Sequence, residues 1–185
     1  MKQELIIAGF GGQGVMSMGQ LLAYAGMKEG KHVSWLPSYG PEQRGGTANV
    51  SVVISDKEVG SPVIDKPTSV IALNNPSFEK FEPMLIEGGD LFTNSNLVDI
   101  SSKREDIYFL PVPATEIAKN LKMERVAGMV LLGAFITKTK VLSKDSLLEA
   151  LINVLGEKKK HLIGVNEEAI LAGENLIEKK LFLTK

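Results

Sequence analysis

The sequence predicts an α/β protein in which helices cover both faces of a mainly parallel sheet, a three-layer α/β/α arrangement with a short antiparallel element. Three observations support this prediction. An apolar run near the start of the chain ends in a glycine-rich turn that opens an amphipathic helix. Strand-like and helix-like segments alternate through the first half, and the second half is mostly helical. The length of 185 residues fits one domain, which we expect to span residues 1–185.

The first element is a strand over residues 5–8, which leads into a glycine-rich corner at residues 9–14 (Gly-Phe-Gly-Gly-Gln-Gly). Glycines at positions 9, 11 and 14 have the spacing of Rossmann-like dinucleotide-binding turns, where backbone N–H groups at a helix N-terminus face a phosphate. We therefore predict a phosphate site, and its residues are Gly9, Gly11, Gly12, Gln13 and Gly14. The alternative is that these glycines only permit a tight turn between strand and helix.

The corner lacks one feature of a nicotinamide site. Such a site has an acidic residue at the end of the second strand, where it holds the ribose hydroxyls. The predicted second strand, residues 32–36, is followed by Pro37 and carries no carboxylate at its end. Glu42 lies farther along, in a loop. The sequence therefore favours phosphate binding but not NAD.

A second glycine-rich loop, residues 37–47, follows this strand. It contains Arg44, whose planar guanidinium can donate two parallel hydrogen bonds to a phosphate or a carboxylate. Because the loop leaves the carboxyl end of a strand, we expect it at the same edge of the sheet as the corner. We predict that Arg44, Gly45, Gly46 and Thr47 complete the binding site. The alternative is a solvated surface loop.

The remaining segments complete the predicted sheet and its helices. Alternating apolar residues predict a strand over 49–55, followed by a short antiparallel return toward Val59. Further strands are predicted at 69–73, 91–93 and 107–112, and helices at 77–81, 115–122, 126–137, from Ser143 and from Asn166. The charged segment 157–161 is interpreted as a solvated connector.

The composition excludes several classes of function. The chain has no cysteine, which excludes disulfides, thiolate nucleophiles and cysteine-ligated iron–sulfur or zinc sites. With only two histidines a His-rich metal site is also excluded, and we predict no metal site and no catalytic residue. A net charge of −1 provides no field for nucleic acid, and no apolar run approaches the roughly 18 residues of a membrane span. Because no signal-peptide pattern precedes the first strand, we expect a cytoplasmic protein.

The two glycine-rich segments, residues 9–14 and 38–48, together resemble the gamma subunit of 2-oxoacid:ferredoxin oxidoreductases. The similarity spans residues 3–178 and continues through three short segments, Gly-Ser-Pro at 60–62, Leu-Asn-Asn-Pro-Ser at 73–77 and Leu-Leu-Gly-Ala at 131–134. The chain departs from the family at Gly128, where Asn is usual. Residues 35–42 are most similar to the 2-oxoglutarate type, and the pyruvate and 2-oxoisovalerate types stay open.

This resemblance implies a subunit of a complex that decarboxylates a 2-oxoacid, reduces ferredoxin and transfers the acyl group to coenzyme A. It implies that thiamine diphosphate, Mg and iron–sulfur clusters reside only on partner subunits of alpha, beta and delta type. This chain would supply structure and part of the coenzyme A site. The absence of cysteine agrees with that division, and Gly88-Gly89-Asp90 has the wrong order for the Gly-Asp-Gly of a thiamine-binding chain.

The residues by themselves leave two alternatives. One is a free-standing nucleotide-binding oxidoreductase of Rossmann type. The other is an interaction module whose glycine-rich loops only shape an interface.

Overall fold

The computed structural model describes residues 1–39 and 47–183. Its strands are β1 (Lys2–Phe10), β2 (His32–Tyr39), β3 (Thr47–Ser55), β4 (Ser69–Ala72), β5 (Asp90–Asn94) and β6 (Tyr108–Val112). Its helices are α1 (Val15–Lys28), α2 (Asn75–Phe81), α3 (Ala114–Asn120), α4 (Ala127–Thr139), α5 (Lys144–Leu155) and α6 (Ile163–Leu183). Short 3₁₀ segments occupy Glu82–Met84, Glu124–Val126 and Glu157–Leu162.

The strands form one sheet in the order β2-β3-β1-β4-β5-β6. Strands β1, β4, β5 and β6 are parallel, whereas β3 is antiparallel to both of its neighbours, β1 and β2. Because β1 and β2 both oppose β3, they run in the same direction. The predicted α/β class with a mainly parallel sheet is therefore confirmed.

The antiparallel element differs from the one predicted. The return toward Val59 is wrong, since residues 56–68 contain no strand. Strand β3 is itself the reversed strand, and it inserts between β1 and β2. One face of β3 is apolar and enters the larger core through Val50, Val52 and Ile54, and Val53 is fully buried on the opposite face in the smaller core. A strand that is buried on both sides belongs in the interior of a sheet, and the segment that follows it forms no strand that could pair with it.

Alternate side chains of β1 enter two separate cores. Leu5 and Ile7 pack in the larger core, beneath α1 and the helices of the second half, whereas Ile6 and Ala8 pack in a smaller core with α2. This alternation follows from the two-residue period of a strand. The result is the predicted three layers, with five helices on one face and α2 with connecting segments on the other.

Helices α4 and α6 cross in close contact. A Cβ atom on Gly133 would lie 2.1 Å from the Ile170 carbonyl oxygen, and one on Gly173 would lie 1.9 Å from the Val130 carbonyl oxygen. Only residues without a side chain fit at these two positions. The crossing gives a packing reason for the Leu-Leu-Gly-Ala segment at 131–134.

Several helix and strand boundaries differ from the predicted ones for local reasons. Strand β2 continues past Pro37 because it is an edge strand, where a missing N–H is tolerated. The predicted cap of α5 is confirmed, since the Ser143 hydroxyl accepts a hydrogen bond from the Ser146 N–H at 3.1 Å. Helix α6 begins at Ile163, three residues before the predicted Asn166. The solvated connector predicted at 157–161 does link α5 to α6, with Lys159, Lys160 and His161 exposed, but it is a 3₁₀ segment rather than a loop.

Charges at the amino edge of the sheet join three strands. Asp56, just after β3, accepts a hydrogen bond from Lys31 Nζ at 2.5 Å and pairs with the Met1 amine at the start of β1. The Lys31 hydrogen bond and the amine lower the pKa of Asp56 from 3.8 to about 2. A carboxyl with a lowered folded pKa stabilises the fold above its unfolded pKa, and this contribution is lost as pH falls through the folded value.

We therefore expect Asp56→Asn to reduce the free energy of unfolding modestly near neutral pH, because Lys31 and the Met1 amine lose their shared anionic partner at an exposed site. The difference between wild type and variant should shrink as pH falls from about 4 to about 2. Urea unfolding across this pH range measures it. A difference that is the same at both ends of the range would show that Asp56 does not stabilise the fold through its charge.

Candidate functional site

A cleft of about 650 Å³ opens at the carboxyl ends of β1, β4 and β5. From β1 the chain crosses through α1 to β2 on one side, whereas β4 lies on the other side of β1. Open α/β sheets bind ligands at such a switch point, because the diverging connections leave a crevice at the carboxyl edge. The volume lies within the range of small-molecule sites.

The glycine-rich corner forms one wall of this cleft through Gly12 and Gly14. Both adopt left-handed backbone, with φ of +95° and +82°, which favours glycine. A Cβ atom on either one would meet no heavy atom within 4 Å beyond its chain neighbours, so a ligand can approach the backbone. Gly14 also precedes α1 without a side-chain cap, which leaves the first N–H groups of that helix without a side-chain acceptor.

Gly9 and Gln13 fix the shape of the corner. A Cβ on Gly9 would lie 2.5 Å from Gln13 Oε1 and 2.9 Å from Leu73 Cβ. The Gln13 side chain accepts a hydrogen bond from the Phe10 N–H at 2.6 Å and donates one to the Leu73 carbonyl at 3.1 Å. Gln13 therefore ties the corner to the end of β4, while it also lines the cleft. Gly11 is an exposed turn residue without left-handed backbone. Ligand binding by Gly9, Gly11 and Gln13 stays a prediction.

Of the second predicted loop, Arg44, Gly45 and Gly46 lie outside the described residues. Thr47 begins β3, is exposed, and pairs with Phe10 at the end of β1. Tyr39, the last residue of β2, pairs with Ala48 at the same edge. The two strand ends that flank residues 40–46 therefore lie at the same edge of the sheet as the corner, as the sequence predicts.

Asn94 and Thr115 also line the cleft, and the sequence analysis predicted neither of them as a site residue. Asn94, at the end of β5, is almost fully buried, and its Nδ2 donates to the Thr115 hydroxyl oxygen at 2.8 Å. Asn94 Oδ1 accepts hydrogen bonds from backbone N–H groups, including that of Asn96 at 3.3 Å. These bonds join the strand to the start of α3. An Asn at the carboxyl end of a buried strand is the signal that could have found it.

Arg125 is the third residue that sequence reasoning missed. It lies in the 3₁₀ segment before α4 and lines the cleft together with Glu124. It has no hydrogen bond or ion pair with any residue in the described ranges. Nothing local in the sequence marks it, because only the fold brings the start of α4 to the corner.

The structure gives a packing reason for glycine at position 128, where the family usually has Asn. Gly128 lies in the first turn of α4 and lines the cleft. A Cβ atom there would lie 3.0 Å from Met18 Sδ, on α1. A side chain at this position would displace Met18 or enter the cleft, so glycine lets α4 approach α1 and leaves the cleft open.

Among the described residues, no helix is both long enough and apolar enough to cross a bilayer.

Comparison with known proteins finds relatives that match almost the whole chain. Residues 4–176 match the family described as pyruvate ferredoxin/flavodoxin oxidoreductase. The ketoisovalerate oxidoreductase subunit VorA of Methanothermobacter marburgensis is 42% identical over 176 residues. That alignment covers 95% of this chain but 36% of VorA, so the chain spans about a third of that relative's length.

Two solved structures share the fold. The gamma subunit of a keto/oxoacid ferredoxin oxidoreductase from Geobacter sulfurreducens superposes with a TM-score of 0.81 at 30% identity, covering 96% of this chain and 99% of that one. The 2-oxoglutarate:ferredoxin oxidoreductase from Magnetococcus marinus, solved with 2-oxoglutarate, coenzyme A and succinyl-CoA bound, superposes with a TM-score of 0.88 at 26% identity. It covers 96% of this chain and 31% of that one. The resemblance drawn from the two glycine-rich segments is thus confirmed, and the chain belongs to the pyruvate ferredoxin/flavodoxin oxidoreductase family.

Proposed function

We propose that this chain is the gamma-type subunit of a 2-oxoacid:ferredoxin oxidoreductase, which converts a 2-oxoacid to an acyl-CoA and reduces ferredoxin. The observation that carries the proposal is the cleft at the switch point, where the backbone of Gly12 and Gly14 is open to an anionic ligand. Coenzyme A has a diphosphate and a 3′-phosphate that suit such a site. A relative of the same fold was solved with coenzyme A bound, which supports this choice of ligand.

Coenzyme A supplies the thiol that accepts the acyl group, and this chain helps to position it. In the proposal, the corner holds a phosphate through backbone N–H groups. The Arg44 guanidinium donates two hydrogen bonds to oxygens of a second phosphate, and Gly45, Gly46 and Thr47 shape the loop around that phosphate. Thiamine diphosphate, Mg and iron–sulfur clusters reside on partner subunits of alpha, beta and delta type, where ferredoxin docks. The chain, which has no cysteine, supplies no cluster ligand of that type. We place the complex in the cytoplasm.

We assign 2-oxoglutarate as the substrate. Residues 35–42 favour it, and the Magnetococcus marinus relative was solved with 2-oxoglutarate bound. The second candidate is 2-oxoisovalerate, because VorA is a ketoisovalerate oxidoreductase subunit. Pyruvate is the third.

A free-standing Rossmann-type oxidoreductase fits less well. In that fold a carboxylate at the end of the strand beside β1 holds the ribose of the nucleotide. Here the neighbour of β1 on that side is the reversed strand β3, which presents Thr47 and Ala48 at this edge. Neither residue can replace the carboxylate.

The experiment that tests the proposal compares the isolated chain with the assembled complex. The isolated chain should not reduce ferredoxin or a dye with 2-oxoglutarate and coenzyme A, because the thiamine and redox centres lie on its partners. Co-expression with a thiamine-binding chain and a cluster-bearing chain should yield a complex that co-purifies and is active, and omission of this chain should abolish acyl-CoA formation. Activity of the chain alone, or a monomer purified from its native cell with bound NAD, would reject the proposal.

A further inference from the structure

We propose that Arg125 binds the diphosphate of a nucleotide ligand in the cleft and holds it against the backbone of Gly12 and Gly14. The inference deepens the proposed function, because it takes the adenosine-diphosphate part of coenzyme A as the ligand. Arg125 lines the same cleft as Gly12 and Gly14, although it comes from a distant part of the sequence.

Arg125 extends from a fixed position. The next residue, Val126, is 3% exposed and packs in the larger core, so the 3₁₀ turn that carries Arg125 is anchored. The Arg125 guanidinium nevertheless makes no hydrogen bond or ion pair with any of the described residues. Arg104 shows the contrast, since it bonds to Asp106 and to the carbonyl oxygens of Glu82 and Leu85. A solvated arginine in a concave site keeps its full set of donors for an anion.

Helix α1 supplies complementary donors at the corner. It has 14 residues and begins at the cleft without a side-chain cap, so its N-terminus carries partial positive charge, which adds to that of Arg125. Helix α4 continues directly from the 3₁₀ turn that carries Arg125, where the Ala127 N–H already donates to the Glu124 carbonyl oxygen. Gly128 leaves the first turn of α4 without a side chain on the cleft side.

One carboxylate also lines the cleft, and its charge is partly offset. Glu124 Oε1 lies 4.0 Å from Lys119 Nζ, which lines a neighbouring depression but not the cleft. The anionic part of a ligand is therefore favoured between Arg125 and the corner rather than beside Glu124.

The shape of the cleft favours a long ligand over a free phosphate. A second depression, of about 410 Å³, shares Leu97, Thr115 and Glu124 with the cleft and extends it past Asn96. The Leu97 side chain is 47% exposed and offers an apolar surface along this path. A diphosphate at the corner with an organic group lying across Leu97 fits both depressions, and inorganic phosphate would fill only one end.

The test compares Arg125→Gln with Lys122→Gln, a matched removal of one positive charge three residues away and outside the cleft. Pyrophosphate, ADP and coenzyme A are titrated calorimetrically into the purified chain and into the assembled complex. We expect Arg125→Gln to weaken binding of all three by about 10- to 100-fold, because it removes a charge-assisted hydrogen bond. Arg125→Lys should recover part of the loss, and Lys122→Gln should bind as wild type does. Thermal unfolding should be unchanged in each variant.

Unchanged affinity of Arg125→Gln for pyrophosphate and ADP would overturn the inference, as would a wild type that binds neither probe in either form. If pyrophosphate and ADP binding depends on Arg125 but the KM of the complex for coenzyme A does not, the anion site stands and coenzyme A is rejected as its ligand.

Discussion

Gly173→Ala should lower the free energy of unfolding by about 3 kcal/mol, which corresponds to a fall in Tm of about 6–12 °C for a chain of this size. The added Cβ would lie 1.9 Å from the Val130 carbonyl oxygen and 2.9 Å from the Ala134 nitrogen. Both neighbours are helix backbone, which cannot rotate away as a side chain can. Helices α4 and α6 must separate, and the buried apolar contacts at their crossing are lost.

The same helix offers a control. Gly164 lies in the first turn of α6, and a Cβ there would meet no heavy atom within 4 Å. Gly164→Ala should stabilise the protein by up to about 1 kcal/mol, because alanine is the better helix former. Urea and thermal unfolding measure both variants. Equal or greater stability of Gly173→Ala would mean that the helices do not cross as closely as described.

A double variant adds a further test of the crossing. Gly133→Ala introduces a Cβ 2.1 Å from the Ile170 carbonyl oxygen, at the same contact between α4 and α6. Once one substitution has separated the helices, the second finds more room. The two losses of stability should therefore sum to more than the loss in the double variant. Strict additivity would indicate two independent distortions.

The parts of the fold that the sequence predicts are those with a local cause. The corner and α1 follow from glycine spacing and a helical apolar stripe, and the alternation of Val50, Val52 and Ile54 marks β3 as a strand. The insertion of β3 between β1 and β2 was not predictable in this way. Strand pairing depends on contacts between distant parts of the chain, and the residue pattern of one strand does not predict which strands lie beside it.

The residues of the candidate site likewise fall into those that a local pattern predicts and those that only the fold brings to the cleft. Gly14 was predicted from the spacing of the glycine motif and Gly12 as part of the same corner. The left-handed backbone at both positions explains why glycine stands there. Arg125 was missed because it belongs to a charged turn like many others, and only the crossing of α4 over the sheet brings it to the cleft. Gly133 was noted as part of a family segment, but the reason for glycine there lies in α6.

Gly12→Ala should raise the KM of the assembled complex for coenzyme A by about tenfold or more, with the KM for the 2-oxoacid nearly unchanged. The methyl group would enter the open space beside the Gly12 backbone, which is where a phosphate must approach. Alanine in left-handed backbone also costs about 1–2 kcal/mol of stability, so a fall in activity alone would be ambiguous.

Gly88→Ala separates these two effects. Gly88 has a φ of +73° and the same open surroundings, but it precedes β5 at the opposite edge of the sheet. The two variants should lose similar stability in urea, while only Gly12→Ala should bind coenzyme A more weakly. If both variants raise the KM for coenzyme A alike, or if Gly12→Ala raises the KM for both substrates equally, the corner acts through the stability of the fold. Selective loss at Gly12 assigns the ligand to the corner, because strain is matched and only the location differs.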